Sequence, residues 1–185
     1  MQRDYNREPA AATGRFEAQD EELLMDLLEE HARLAGWETA WVAYGQTEQP
    51  VLQVGISNLG KIKAAVTAEL SFLHPEGAEG SFTTAQFAAV VFSEVPEENL
   101  PEVMHACMRA NQYALVGGFG VMGRTLYYRH NLLLRPDYPF IVCGQMLVDA
   151  LISLRQTLDI TVDGLALIAR GVNTLDEVIG QGFLD

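Results

Sequence analysis

Between Ile62 and Phe72 the apolar residues fall on every second position. Ile62, Ala64, Val66, Ala68, Leu70 and Phe72 alternate without a miss against Lys63, Ala65, Thr67, Glu69 and Ser71. The segment is built from good helix formers, so propensity alone argues for a helix. A helix with this order would scatter its apolar residues around the axis, whereas a strand puts all six on one side. The alternation therefore predicts a strand from a composition that reads as helix.

The segments around it keep the same period. Trp37, Thr39, Trp41 and Ala43 take one side of a first strand, Gly45 to Pro50 makes a turn, and Val51 to Ser57 forms a second strand ended by Asn58-Leu59-Gly60. After a loop from His74 to Gly80, Gln86 to Val95 is apolar on both parities and predicts a strand covered on both sides. Ahead of these strands, Asp20 is placed to cap a helix with Glu21 and Glu22 in its first turn. Leu23, Leu24, Leu27, Leu28, Leu34 and Ala35 form its apolar stripe, and Gly36 ends it.

Val95 to Leu134 carries a second helix and a hairpin. Pro96 and Pro101 bracket the helix start, Asn99 and Glu102 stand in capping-box spacing, and Leu100, Val103, Met104, Cys107, Asn111 and Ala114 share a face. Val116 to Val121, a Met122-Gly123 turn and Arg124 to Leu134 then read as two paired strands. Asp137 and Pro139 open a long helix to about Leu158, with Phe140, Ile141, Leu147, Val148, Leu151, Ile152 and Leu158 inward. A short helix from Asp163 to Arg170 follows, closed by Gly171, and Thr174 with Glu177 caps a last turn at Leu175 to Ile179.

Strands in runs without crossover helices imply an α+β fold: an antiparallel sheet of about five to six strands with helices packed on it, in the order α-β-β-β-β-α-β-β-α-α. Residues 1–18 mix charges, proline and alanines without periodicity and are expected to be a mobile leader. Residues 19–185 are expected to form one domain with a short helical tail.

Charge narrows the function. Twenty-five acidic residues against 12 basic ones give a net charge of −13, and Lys61 and Lys63 are the only lysines. A nucleic-acid partner or an anionic membrane surface is disfavoured, because both draw affinity from clustered Lys and Arg. Short apolar runs and a polar start predict neither a membrane span nor a signal peptide, so a cytoplasmic location is expected. Cys107 and Cys143 are far apart and read as small buried hydrophobes.

The one literal motif is Gly118, Gly120 and Gly123 in GxGxxG spacing. A dinucleotide loop needs a strand before the glycines and a helix after them, and here the order is reversed. A kinase-type loop needs a downstream lysine, and none follows Lys63. The glycines are therefore expected to shape a helix exit and a tight hairpin. His105 and Cys107 point about 200° apart on a helix, and the other histidines are scattered. No catalytic set, metal site or cofactor is predicted.

The hairpin strand is the most informative polar feature. Leu126, Tyr128, His130 and Leu132 alternate with Thr125, Tyr127, Arg129, Asn131 and Leu133, placing aromatics on both faces and arginines in an acidic chain. Cross-strand pairing with acids such as Glu38 or Glu69 is one reading. The other is a surface for a polypeptide or a second subunit, with Phe119, Tyr127, Arg129, Leu133 and Trp41 as candidate contacts, since Tyr and Arg favour interfaces. A small anion held by Arg124, Arg129 or Arg135 is the alternative.

The pattern RANQYALVGGFGV, a short turn, GRTLYYRHNLLL, a long apolar helix and DGLALIARGVNTLDEV resembles the YbjN-like proteins, which share the fold of type III secretion chaperones. The match runs from about Glu22 to Val178. The resemblance implies a small acidic homodimer without catalytic residues that offers grooves or sheet edges to a partner polypeptide. The expected function is thus that of a non-enzymatic, chaperone-like or adaptor protein.

Overall fold

The computed structural model describes residues 16–44, 50–73, 82–135 and 137–184. Most of the expected leader, the turn after Tyr44 and the loop beginning at His74 lie outside the described residues. The chain order is α1 (Ala18–Leu34), β1 (Glu38–Val42), β2 (Val51–Leu59), β3 (Ala64–Leu73), β4 (Thr83–Phe92), α2 (Leu100–Ala110), β5 (Gly118–Met122), β6 (Thr125–Leu134), α3 (Phe140–Ala169) and α4 (Leu175–Gly180). The six strands form one antiparallel sheet, ordered β1-β2-β3-β4-β6-β5, with the helices packed on it. Both edge strands are five residues long and the inner four are nine or ten, so little unpaired backbone is offered at either edge.

The alternating segment is a strand. In β3, Val66, Ala68, Leu70 and Phe72 are buried and Ala65, Thr67 and Leu73 are exposed. Burying Val, Leu and Phe contributes about 1.5–3 kcal/mol each, against at most about 0.7 kcal/mol per residue of helix propensity. Packing outweighs propensity here. Ile62 drops out of the pattern, lying half exposed in the turn before the strand. β4 begins and ends three residues earlier than expected. It is not covered on both sides: Ala85, Phe87 and Ala89 are buried while Val90 is 55% exposed.

By its contacts the chain divides into two units, each drawn from separate stretches. The first takes the chain up to Val54, Glu69–Phe87 and Asn131–Leu151. Here α1 starts earlier than its charges imply. Phe16 is buried and its N–H donates to Thr83 Oγ1 at 3.4 Å, anchoring the chain just ahead of the helix. Glu17 rather than Asp20 is the N-cap, and Asp20 closes the capping box by accepting from the Glu17 N–H. The fold therefore begins inside the stretch assigned to the leader. Leu24, Leu27, Leu28 and Ala32 are buried, whereas Leu34 is 80% exposed and leaves the stripe. Leu27 lies against Gly144, where an added Cβ would come within 2.9 Å, so α1 and α3 meet closely. The outward strand positions are polar and joined: Tyr44 and Gln53 donate to Glu69, and Gln86 donates to Asn131.

The second unit takes Gly55–Ala68, Ala88–His130 and the chain from Ile152. The capping box expected at Asn99 and Glu102 does not form, because both side chains serve the C-terminal segment. Asn99 Nδ2 donates to the Ala169 carbonyl at 3.3 Å, and Glu102 accepts from the Leu175 N–H at 2.7 Å. Of the expected α2 face, Val103 and Cys107 are buried with Ala106 and Ala110, while Met104 is exposed. The two helices expected between Phe140 and Arg170 are one helix of 30 residues. Asp163, read as a helix start, sits inside α3 and accepts from the backbone N–H groups of Lys61 and Ile62 at 2.7 and 3.2 Å. Ile141 and Ile152, expected inward, are 50% and 43% exposed. At full length α3 is long and apolar enough to cross a membrane by length and composition, which the expected break concealed; half of its most apolar 18 residues are buried within the chain. The Thr174–Glu177 capping box of α4 is formed as expected.

Candidate functional site

The β5–β6 hairpin is closed by a two-residue loop, Gly123-Arg124, one residue later than expected. Its register pairs Gly118 with Arg129, Phe119 with Tyr128, Gly120 with Tyr127, and Met122 with Thr125. Gly123 alone of the two loop residues has positive φ, the signature of a II′ turn that matches strand twist.

Register and alternation give the hairpin two faces. The inner one is an interlocked core. Tyr128 is fully buried, its hydroxyl donates to the Val116 carbonyl, and the Phe119 ring meets it edge-on at 5.2 Å. Burial pushes the Tyr128 phenol up to about 12. Gly117, at φ +68°, has no room for a side chain: a Cβ would lie 2.6 Å from both the Arg129 carbonyl and the Tyr128 hydroxyl.

Asn111, just past α2, fastens the free side of β5. Its Oδ1 accepts from the Phe119 N–H at 2.6 Å and its Nδ2 donates to the Phe119 carbonyl at 3.0 Å. The side-chain amide thus stands in for a neighbouring strand. Since Phe119 turns its backbone groups away from β6, alternation turns those of Val121 the same way. Val121 is the one other residue of this short edge with outward backbone groups.

The outer face carries Tyr127 and Arg129. Tyr127 folds across Gly120, where a Cβ would meet its hydroxyl at 2.7 Å, so the glycine makes a shelf for the ring. Arg129 is exposed and has no hydrogen bond or ion pair among the described residues. Met122, at the tip, is 73% exposed.

Five contacts were expected, and the structure sorts them. Tyr127 and Arg129 stand on the outer face. Phe119 does not: at 6% exposure it is part of the inner face, placed there by its pairing with Tyr128. Leu133 is 54% exposed and Trp41 half-buried, and both belong to the first unit, whereas the other three belong to the second. Of the three arginines offered as alternative holders of a small anion, two are engaged within the chain. Arg124 spends its guanidinium on the Val95 and Glu94 carbonyls, at 2.8 and 3.4 Å. Arg135 forks onto Asp137 at 2.9 and 2.5 Å, and that bond holds the Asp137 carboxyl below its usual range. Glu69, offered as an arginine's partner, is taken by Tyr44 and Gln53.

The GxGxxG glycines belong to β5 and its loop. Burial pushes the thiols of Cys107 and Cys143 up to about 11, and it lowers the basicity of His130. Among the described residues, no three of His, Cys, Asp and Glu gather as a metal site would require. Sequence reasoning missed the clasp by Asn111, which it placed on the shared face of the second helix. Its signal was position, a side-chain amide at a helix exit ahead of an edge strand.

No protein-family model matches the chain, and neither a curated protein nor a solved structure matches it significantly.

Proposed function

We propose that this protein is a non-enzymatic, chaperone-like or adaptor module of the cytoplasm that holds a segment of another polypeptide and works as a homodimer. The observation that carries the reading is the outer face of the hairpin: Tyr127 folded over Gly120 beside an Arg129 that has no polar partner among the described residues. Tyr and Arg are the residues that dominate interface energetics, and a guanidinium unpaired among the described residues, in a chain of net charge −13, fits an acidic or carbonyl-rich segment. The resemblance of RANQYALVGGFGV and GRTLYYRHNLLL to YbjN-like sequences supports the same reading.

Selection of a displayed peptide library on the purified protein tests it. An enriched peptide is expected to lose at least about tenfold in affinity when Tyr127→Ser and Arg129→Glu are combined. Failure to enrich any peptide, or equal binding by the double variant, overturns the polypeptide reading. Light scattering is expected to give twice the 20.4 kDa chain mass, and a monomer removes the homodimer. Arg129 also favours a second reading, a regulatory domain sensing a small anion. A thermal shift with phosphate or nucleotides that Arg129→Ala abolishes would select it.

A further inference from the structure

A cleft of about 380 Å³ opens in the second unit. Lys61, Tyr113, Asp159, Asp163 and Phe183 are among the residues that line it. We propose that it binds a free amino acid with a flat apolar side chain.

The frame of the cleft is fixed by bonds spanning about a hundred residues of chain. Asp159 Oδ1 accepts from the Gly60 N–H at 3.0 Å, and Asp163 holds the next two N–H groups. The turn carrying Lys61 is thereby pinned to α3. In the C-terminal segment, the Phe183 N–H bonds the Val178 carbonyl at 3.1 Å, Leu184 is buried, and Arg109 Nε bonds the Leu184 carbonyl at 3.1 Å. Both sides are preorganised, which lowers the cost of taking up a ligand.

The lining chemistry selects the class. Tyr113 and Phe183 each have a cation over the ring, Arg109 at 5.1 Å and Lys61 at 4.9 Å, so the aromatic walls are held in place. Lys61 has no carboxylate partner among the described residues, and the residue is exposed. Asp159 commits one oxygen to Gly60 and presents a negative charge to the same space. A positive and a negative group flanking aromatic walls complement a zwitterion: carboxylate on Lys61, ammonium on Asp159, flat side chain against the rings. The volume lies at the low end for small-ligand sites, which suits a molecule of this size.

Backbone amide chemical shifts of Gly60, Lys61 and Gly182 during titration with L-phenylalanine provide the test. Saturable shifts are expected at these amides, with phenethylamine and 3-phenylpropionate each at least about tenfold weaker, because each lacks one charge-assisted contact. Lys61→Met should bring L-phenylalanine down to the level of phenethylamine. Asp159→Asn, which keeps an oxygen for Gly60, should bring it down to that of 3-phenylpropionate. Lys63→Met, the same charge change outside the cleft, should leave binding unaltered. The inference is overturned by three results: no saturable shift up to about 20 mM, equal binding of the three compounds, or wild-type binding by Lys61→Met. Lys61 is exposed, so its variant folds and remains decisive should Asp159→Asn prove unstable.

Discussion

Tyr127 and Tyr128 are adjacent in the chain and opposite in duty. Tyr128 is a beam: fully buried, bonded to Val116, packed on Phe119 and pressed against Gly117. Tyr127 faces outward over Gly120 beside Arg129. One residue of phase in a strand separates what holds the hairpin together from what it can offer. The glycines follow the same division, since Gly117 makes room inside and Gly120 makes a shelf outside.

That division can be broken by substitution, and the inner face should yield first. Tyr128→Ala is expected to cost about 3–5 kcal/mol in urea unfolding, for the lost ring and the cavity it leaves. Tyr127→Ala should cost clearly less, about 1 kcal/mol, since Tyr127 is only half-buried. Equal losses would abolish the distinction.

Gly117→Ala should follow, at about 2–3 kcal/mol, from the strain of its positive φ and the contact with the Arg129 carbonyl. Asn111→Ala comes next. It leaves the Phe119 N–H and carbonyl unclaimed, for about 1–3 kcal/mol, and it opens the β5 edge, so light scattering should show faster aggregation at equal concentration. Arg129→Glu is expected to leave the melting midpoint unchanged, as that side chain has nothing to lose among the described residues.

The smallest effects concern titration. His130 is less basic than usual because burial disfavours its charged form. The unfolded chain then binds the proton more readily below about pH 6.5, so stability should decline as pH falls through that value. His130→Gln should flatten this slope. With both thiols pushed up to about 11, Cys107 and Cys143 should react slowly with a disulfide reagent at pH 8 and rapidly once unfolded.

Local pattern reached the element order but not the long-range uses of polar side chains. The alternation in β3, the α4 capping box and the class of fold were legible, because each is written within a dozen residues. Asp163 was not, since an aspartate ahead of an apolar run looks like a helix start, and its partners lie about a hundred residues away at Lys61 and Ile62. Asn99 and Glu102 had the correct spacing for a cap, but Ala169 and Leu175 claim them. Phe119 was legible and misassigned. Either placement of the two-residue loop pairs it with an even-numbered residue of β6, the face of Leu126 and Tyr128. Asn111 needed the edge strand in three dimensions before its amide had a meaning.

The proposal that the outer face is the one that meets a partner is tested most directly by a photo-crosslinking residue placed at position 127 and, in parallel, at exposed Leu34 on α1. In living cells, irradiation is predicted to join position 127, and not position 34, to a polypeptide, either a second copy of this chain or another protein. Absence of any adduct at 127, or equal adducts at both positions, would contradict it.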